Sequence, residues 1–212
     1  MTKKEKFNQV AVRLGAKYPS PQTELHYKTP FQLLIATLLA AQCTDKRVNI
    51  ATEPLFKKYP DAKRMSKLSL DEVKDYIKSI NFFNNKAKFI FETCKILVEK
   101  YNGVVPETLA ELTALPGIGR KTAHVVMSNA FGEPVMAVDT HVFRVSNRIG
   151  LAKADNVREV ERQLMKYLKS EIVSDFHHYL ILHGRYTCKA LSPKCEECEL
   201  TDLCNYYKHL VK

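Results

Sequence analysis

The spacing of apolar residues along this chain is that of helices, and no stretch of useful length alternates between apolar and polar residues. Near the N-terminus, the positions i, i+3, i+4 and i+7 are occupied by Phe7, Val10, Ala11 and Leu14. That spacing covers one face of a helix, whereas a half-buried strand would show a period of two. The pattern therefore predicts an all-α protein with short connections.

Residues that begin and end helices support the same prediction. Thr29 is predicted to cap a helix in which Pro30 fills the first turn and Gln32 completes a capping box. Tyr59-Pro60 is predicted to end the next helix, because the residue before a proline avoids the helical conformation. Further helix starts are predicted at Thr44, Ser69, Asn84 and Asn156.

The size and composition limit the class of protein. The 212 residues are enough for one large domain or two small ones. An apolar fraction of 45% with 9% aromatic residues excludes a chain that is mainly disordered. A membrane span needs roughly 18 consecutive apolar residues, and the longest candidate, residues 31–41, is interrupted by Gln32 and Thr37. Residues 1–6 lack the apolar core of a signal peptide, so we expect a cytoplasmic protein.

The net charge gives the first indication of function. Lys and Arg number 33 and Asp and Glu number 23, which leaves a formal charge of +10. A compact basic protein is attracted to polyanions, of which nucleic acids are the commonest. A basic surface that serves solubility alone is the alternative.

Residues 115–121 form the most informative stretch of the sequence. They read Leu-Pro-Gly-Ile-Gly-Arg-Lys, between a helical segment at about 107–112 and an apolar helix that runs to about Phe131. Two glycines two positions apart allow a tight turn, and its N–H groups at a helix N-terminus favour an anion such as a DNA phosphate. This is the pattern of a helix-hairpin-helix DNA-binding element, in which the candidate contacts are Leu115, Gly117, Gly119 and Arg120. A plain turn with a glycine C-cap is the alternative.

Two residues are candidates for covalent chemistry. Lys121 stands in the first turn of the predicted helix, and a neutral amine there can form a Schiff base with a sugar aldehyde. From this residue alone, a lysine that only contacts phosphate is the alternative. Asp139 follows apolar residues, and a carboxylate among apolar neighbours costs free energy unless it has a role. Helix capping and catalysis are the two candidate roles.

Four of the six cysteines fall within 17 residues, with the spacing Cys188-x6-Cys195-x2-Cys198-x5-Cys204. Structural disulfides are rare in the cytosol, so the cluster predicts a metal site. Four thiolates suit either zinc or an iron–sulfur cluster, and the spacing alone leaves both open.

Several of these motifs, in their order, resemble the endonuclease III family of base-excision DNA repair enzymes. The resemblance runs from about Pro30 to Cys204 and is carried by residues 41–45, 115–126, 138–145, 183–188 and the four cysteines. It implies two helical lobes. One is a bundle of about six helices over residues 23–133 that contains the helix-hairpin-helix. The other joins residues 1–22 to 134–212 and holds a [4Fe–4S] cluster in a loop at 188–204.

The resemblance also implies an activity. A DNA N-glycosylase would remove oxidised or ring-saturated pyrimidines from double-stranded DNA and cleave abasic sites by β-elimination. Lys121 matches the family's nucleophile, Asp139 its catalytic carboxylate, and the four cysteines its cluster ligands. We expect a monomer, associated with the nucleoid if the protein is bacterial. The alternatives are a monofunctional mismatch glycosylase and a non-catalytic hairpin module with a zinc site.

Further DNA contacts are expected where the duplex is held open. Gln42 matches the family residue that enters the space left by a flipped base, and a polar helix end is its alternative. Phe82 matches a position at which family members often carry leucine, so the sequence leaves open whether Phe82 or Phe83 wedges into the stack. The alternative is that both rings pack under the loop. Lys189 and Lys194 lie in the cysteine loop and are expected to face phosphates.

Overall fold

Helices account for the regular structure of this protein, which is described here over residues 1–210 of a computed structural model. Within residues 1–210 there is no β-strand, so the all-α prediction is confirmed. The helices are α1 (Lys3–Lys17), α2 (Pro30–Ala40), α3 (Asp45–Lys58), α4 (Ala62–Met65), α5 (Leu70–Ile77), α6 (Phe83–Tyr101), α7 (Leu109–Thr113), α8 (Arg120–Phe131), α9 (Thr140–Ile149), α10 (Val157–Met165), α11 (Val173–Tyr186) and α12 (Asn205–Leu210). Short 3₁₀ turns occur at Ser170–Ile172 and Cys195–Glu197.

Side-chain caps begin the helices at most of the predicted places. The side chains of Thr44, Ser69 and Asn156 each accept a hydrogen bond from the backbone N–H three residues later. Ser69 forms a complete capping box with Glu72, whose carboxylate accepts from the Ser69 N–H at 2.8 Å. These bonds satisfy N–H groups that have no partner within a helix, which is why the sequence signal located them.

Two helix starts differ from the prediction. Gln32 does not close a capping box on Thr29, because its Oε1 accepts from the Lys28 N–H instead, at 2.9 Å. The long helix α6 begins at Phe83, one residue before Asn84, and its N-cap is Phe82 in the left-handed conformation. Asn84 therefore lies in the first turn and is not the cap.

Two structural units divide the described chain, and the first spans Thr23–Glu133. It contains α2 to α8, of which α4 and α7 have only four and five residues. Its core is built around α2, which packs on α3, α6 and α8, and which has Leu34, Ile35 and Leu39 fully buried. We call this unit the helical bundle.

The second unit joins Met1–Gln22 to the described residues from Pro134 onward. Its core lies among α1, α9 and α11, and the predicted apolar face of α1 contributes to it. The Phe7 ring stacks between Phe176 and Tyr167, with centroid distances of 5.8 and 5.1 Å. Because the four clustered cysteines belong to this unit, we call it the cysteine unit.

None of the helices within residues 1–210 combines the length and the apolar character that crossing a membrane requires.

Candidate active site and metal centre

The turn before α8 depends on glycine at position 117. Gly117 has φ +74°, and a Cβ placed there would lie 2.5 Å from Cδ2 of Phe89. The turn is closed by two backbone hydrogen bonds, from Leu115 N–H to Leu112 O at 3.1 Å and from Ile118 N–H to Leu115 O at 3.2 Å. Since L-residues rarely adopt such a φ, both the backbone conformation and the ring of Phe89 exclude a side chain at this point.

Gly119 has a different role, because it is the N-cap of α8 and has an ordinary φ of −90°. No side chain caps this terminus, and an added Cβ would meet no atom within 4 Å. The first turn of α8 is therefore open to solvent at the positive end of the helix dipole. Such a terminus leaves room for the phosphate that the sequence predicts there.

Leu115, one of the predicted DNA contacts, has a buried side chain. Its side chain is only 3% exposed and packs in the core of the helical bundle, together with Ile118. The buried side chain packs away from solvent, so a contact of Leu115 with DNA, which stays a prediction, would involve its backbone. Leu115 instead anchors the hairpin that presents Gly117 and Gly119.

Substitution of Gly117 by alanine is expected to destabilise the protein by about 2–4 kcal/mol, because strain at positive φ adds to the overlap with Phe89. Chemical denaturation followed by circular dichroism measures this change. Gly119→Ala is the matched control and is expected to cost about 1 kcal/mol or less. Equal effects of the two substitutions would contradict the assigned roles.

Lys121 stands directly after Arg120 in the first turn of α8, and both side chains are exposed. The amine of Lys121 is thus carried by the element that forms the anion-binding terminus. Asp139 caps α9, and its Oδ1 accepts from the N–H groups of His141 and Val142, both at 2.8 Å. The capping interpretation of Asp139 is therefore confirmed, and it fixes the half-buried carboxylate at the start of the helix.

Gln42 and Phe82 share an unusual backbone conformation. Their φ values are +54° and +58°, in the left-handed region that non-glycine residues seldom adopt. Both residues are exposed, and Phe82 exposes 63% of its surface. Phe83 instead packs against the core of the helical bundle. Of the two rings, only that of Phe82 is directed at solvent.

Sequence reasoning missed two residues next to these turns. The Asn81 Nδ2 donates to Gln42 O at 2.8 Å, and the Lys86 Nζ donates to Leu39 O at 2.9 Å and to Ala41 O. A signal for Lys86 was present, because it occupies the same face of α6 as Ile90, Cys94 and Leu97. A lysine in an otherwise apolar register indicates a buried charge with a specific partner.

The four clustered cysteines line one pocket in the cysteine unit, together with Ile149, His183 and Tyr206. Two arginines of α9 hold the loop in which Cys188 lies. Arg144 Nη2 donates to Gly184 O and Cys188 O at 2.9 and 3.1 Å, and Arg148 Nη1 donates to Lys189 O at 2.6 Å.

The donor set of this pocket fits a thiolate-bound metal group. Burial raises the pKa of the Cys198 thiol to about 11, and the neighbouring Cys204 and Cys188 add to the shift. Iron cations reverse that balance because they bind and stabilise the thiolate form. Arg148 Nη1, 3.6 Å from Cys188 Sγ, supplies an N–H donor to one sulfur. Within residues 1–210, no three His, Cys, Asp or Glu side chains converge on a point that would hold a single ion.

Comparison with known proteins gives two family matches. Residues 35–170 match the HhH-GPD superfamily of base excision DNA repair proteins, and residues 188–204 match the iron–sulfur binding domain of endonuclease III. Endonuclease III of Haemophilus influenzae and that of Escherichia coli K12 are each 51% identical to this chain, over 96% of it and 96% of their own length. A solved structure of a trapped covalent endonuclease III–DNA intermediate superposes with a TM-score of 0.93 at 45% identity, covering 100% of both chains.

The chain belongs to the endonuclease III family. The chain is therefore an enzyme, a base-excision DNA glycosylase with AP lyase activity, and not a hairpin module that only binds DNA. Its cofactor is a [4Fe–4S] cluster, so the zinc alternative is wrong.

The two lysines of the cysteine loop differ in their surroundings. Lys189 and Lys194 are both exposed, as expected of residues that face phosphates. The Lys194 Nζ, however, lies 3.1 Å from the Glu197 Oε2. Part of its charge is therefore neutralised locally, whereas the charge of Lys189 faces solvent.

Proposed function

We propose that this protein excises oxidised or ring-saturated pyrimidines from double-stranded DNA and cleaves the resulting, or pre-existing, abasic sites through an imine on Lys121. The observation that carries the proposal is an exposed lysine in the first turn of a helix whose uncapped N-terminus suits a phosphate. A phosphate held there fixes the sugar next to the amine. The trapped covalent DNA intermediate of a structurally similar endonuclease III also supports a nucleophile on the protein.

The reaction begins when the damaged nucleotide leaves the base stack. The Lys121 amine attacks C1′ as the bond from C1′ to the base breaks, and the base departs with the bonding electrons and gains a proton. Loss of a proton from the nitrogen and opening of the sugar ring give an imine between Nζ and C1′. The imine makes the C2′ protons acidic, and removal of one of them expels the 3′ phosphate and cuts the strand.

Asp139 is proposed as the catalytic carboxylate. Positive charge develops on the sugar as the base leaves, and a nearby carboxylate stabilises it or accepts a proton from the attacking amine. The helix cap supports this role, because two backbone N–H groups hold the Oδ1 atom and so orient the whole group. Capping and catalysis therefore use the same side chain without conflict.

Two groups of residues in the helical bundle are proposed to hold the DNA. Gly117, Gly119 and Arg120 bind a phosphate beside the lesion, and Gln42 and Phe82 fill the space left by the flipped nucleotide. The amide of Gln42 both donates and accepts hydrogen bonds, so it can bind different bases left opposite the flipped nucleotide. The exposed ring of Phe82 supplies the apolar surface that wedges into a base step.

The cysteine unit completes the proposal. Cys188, Cys195, Cys198 and Cys204 are proposed as the cluster ligands, because they line one pocket within the matched iron–sulfur segment. When bound, the cluster crosslinks the loop and so fixes the backbone that presents Lys189 and Lys194. We further propose that the enzyme acts as a monomer in the cytoplasm, where a reducing environment suits its six free cysteines.

Charge reversal in the cysteine loop tests the phosphate contacts. Lys189→Glu is expected to weaken duplex binding by about 3–10-fold and to flatten its salt dependence by about one to two ions. Lys194→Glu is expected to have the smaller effect, because Glu197 already offsets that lysine. Fluorescence anisotropy over a range of salt concentrations measures both quantities. Lys67→Glu, an exposed substitution in the helical bundle, controls for net charge, and an equal loss in that variant would remove the proposed contacts.

The substrate class is tested with duplexes that differ only in the lesion. We expect release of an oxidised or ring-saturated pyrimidine, with little release of an oxidised purine or of thymine from a mismatch with guanine. Gel electrophoresis without alkali also reports strand cleavage, which separates a bifunctional from a monofunctional enzyme. Preference for a mismatched base without cleavage would contradict the proposal.

A further inference from the structure

Two neighbouring turns of the helical bundle hold exposed side chains on a strained backbone. Gln42 follows the end of α2 and Phe82 precedes α6, and both are left-handed. At such positions glycine avoids the steric cost that other residues incur. An exposed phenylalanine there gains neither from burial nor from backbone preference. Strain of this kind persists only where the surrounding structure enforces it.

The Asn81 side chain provides the first link between the two turns. It is the chain neighbour of Phe82, yet its Nδ2 donates to the carbonyl of Gln42 at 2.8 Å. Its Oδ1 accepts from the Arg47 Nη1 at 3.3 Å, which orients the amide. One side chain therefore binds the backbone of the Gln42 turn while its own backbone continues into the Phe82 turn.

Lys86 provides the second link. It lies in the first turn of α6 and is only 4% exposed, an unusual degree of burial for a lysine. Its ammonium donates to the carbonyls of Leu39 and Ala41, at the C-terminal end of α2. A cation is favoured at that end of a helix, where the last carbonyls lack partners within the helix. Lys86 therefore links the C-terminal end of α2, which leads to Gln42, to the first turn of α6, which follows Phe82.

We propose that Asn81 and Lys86 are positioning residues that hold the Gln42 and Phe82 turns in one fixed arrangement. We call these two turns the wedge. The inference rests on the proposed function, in which both side chains enter the duplex when the nucleotide leaves. Because the links order the turns before binding, the conformational entropy of the wedge is lost during folding and not during DNA opening. Neither Asn81 nor Lys86 needs to touch the DNA for this effect.

The test separates DNA opening from chemistry by the choice of substrate. An abasic site in single-stranded DNA requires imine formation and β-elimination but leaves no hole in a duplex. Asn81→Asp keeps the shape of the side chain and its acceptor toward Arg47 but removes the N–H donor to Gln42. Lys86→Met keeps the length of the side chain but removes the ammonium. Lys88→Met is the matched control, because Lys88 lies on the same helix, is exposed and pairs with Glu92 at 3.9 Å on the helix surface.

We expect Asn81→Asp to lower kcat/KM on a duplex lesion about tenfold, and Lys86→Met to lower it further. Cleavage of the single-stranded abasic site should stay within about twofold of wild type in both variants, since the Lys121 chemistry is untouched. A 2-aminopurine placed opposite the lesion should show a smaller fluorescence change on binding, because Gln42 and Phe82 would contact that base less completely. The Lys88→Met variant should match wild type in all three measurements.

Equal losses of kcat/KM on the duplex and on the single strand would show a general structural role for Asn81 and Lys86. Unchanged duplex activity would show that their hydrogen bonds have no effect on the reaction. Either result overturns the inference. Asn81→Asp decides the question if Lys86→Met does not fold, because Asn81 is exposed and the change removes a single donor. A wild-type enzyme that fails to cleave even the single-stranded abasic site would remove the proposed function itself, and the wedge with it.

Discussion

Replacing Lys121 by glutamine is expected to abolish the covalent protein–DNA adduct that borohydride reduction traps, and to lower strand cleavage by about 10³-fold or more. The amide cannot form an imine, and no other residue is proposed to supply the amine. Glutamine retains polarity and much of the side-chain length, so duplex binding should change only a few-fold. The measurement is trapping on a duplex with one oxidised pyrimidine, with wild type and variant side by side.

Arg120→Gln is the matched control for this result. It removes one positive charge from the same turn of α8 but leaves the amine of Lys121 in place. We expect the adduct to form in this variant, at a rate limited by weaker binding. An adduct that persists in Lys121→Gln would assign the nucleophile to another amine. Base release without any adduct in the wild type would show that water is the nucleophile.

Replacing Cys198 by alanine is expected to remove the visible absorbance of the iron–sulfur cluster and to lower the melting temperature by about 10 °C or more. The four proposed ligands lie in a loop that has little regular structure of its own, so loss of the cluster should release the whole segment. Iron analysis and thermal melting of the purified protein measure the two effects. Duplex affinity should fall as well, because Lys189 and Lys194 lie in the released loop.

Cys43→Ala is the matched control, because Cys43 is half-buried in the helical bundle and outside the matched iron–sulfur segment. It should keep full iron content and full absorbance. Loss of the cluster in both variants would mean that the protein is sensitive to any cysteine change. Full iron content in Cys198→Ala would remove Cys198 from the ligand set.

Much of the fold was predictable because its signals are local. Ser69 and Asn156 cap helices through contacts only three residues long, and those contacts depend on little else in the chain. The glycine at 117 was informative for the same reason, since a positive φ is a property of one residue. Gln32 was mispredicted because two neighbouring N–H groups compete for its side chain, and Lys28 binds it instead of Thr29.

The candidate site was predictable in its residue types but not in their exposure. Leu115 stands beside the hairpin glycines and was expected at the DNA, yet it packs in the bundle core. Phe82 and Phe83 are adjacent residues of the same type, so the sequence does not distinguish them. The backbone conformation at the start of α6 makes Phe82 the N-cap and Phe83 the first residue of the helix. Lys86 was unassigned because its partners, Leu39 and Ala41, lie 47 and 45 residues away.

The sequence by itself determined the helical class, the caps at Thr44, Ser69 and Asn156, the Gly117–Gly119 turn and the four-cysteine motif. Each of these follows from the conformational preference of one residue or from hydrogen bonds across a single turn. Only the tertiary structure decided that Leu115 is core, that Phe82 is the exposed ring, and that Asn81 and Lys86 join the two strained turns. Those outcomes depend on burial and on contacts between distant residues, which exist only after the helices have packed together.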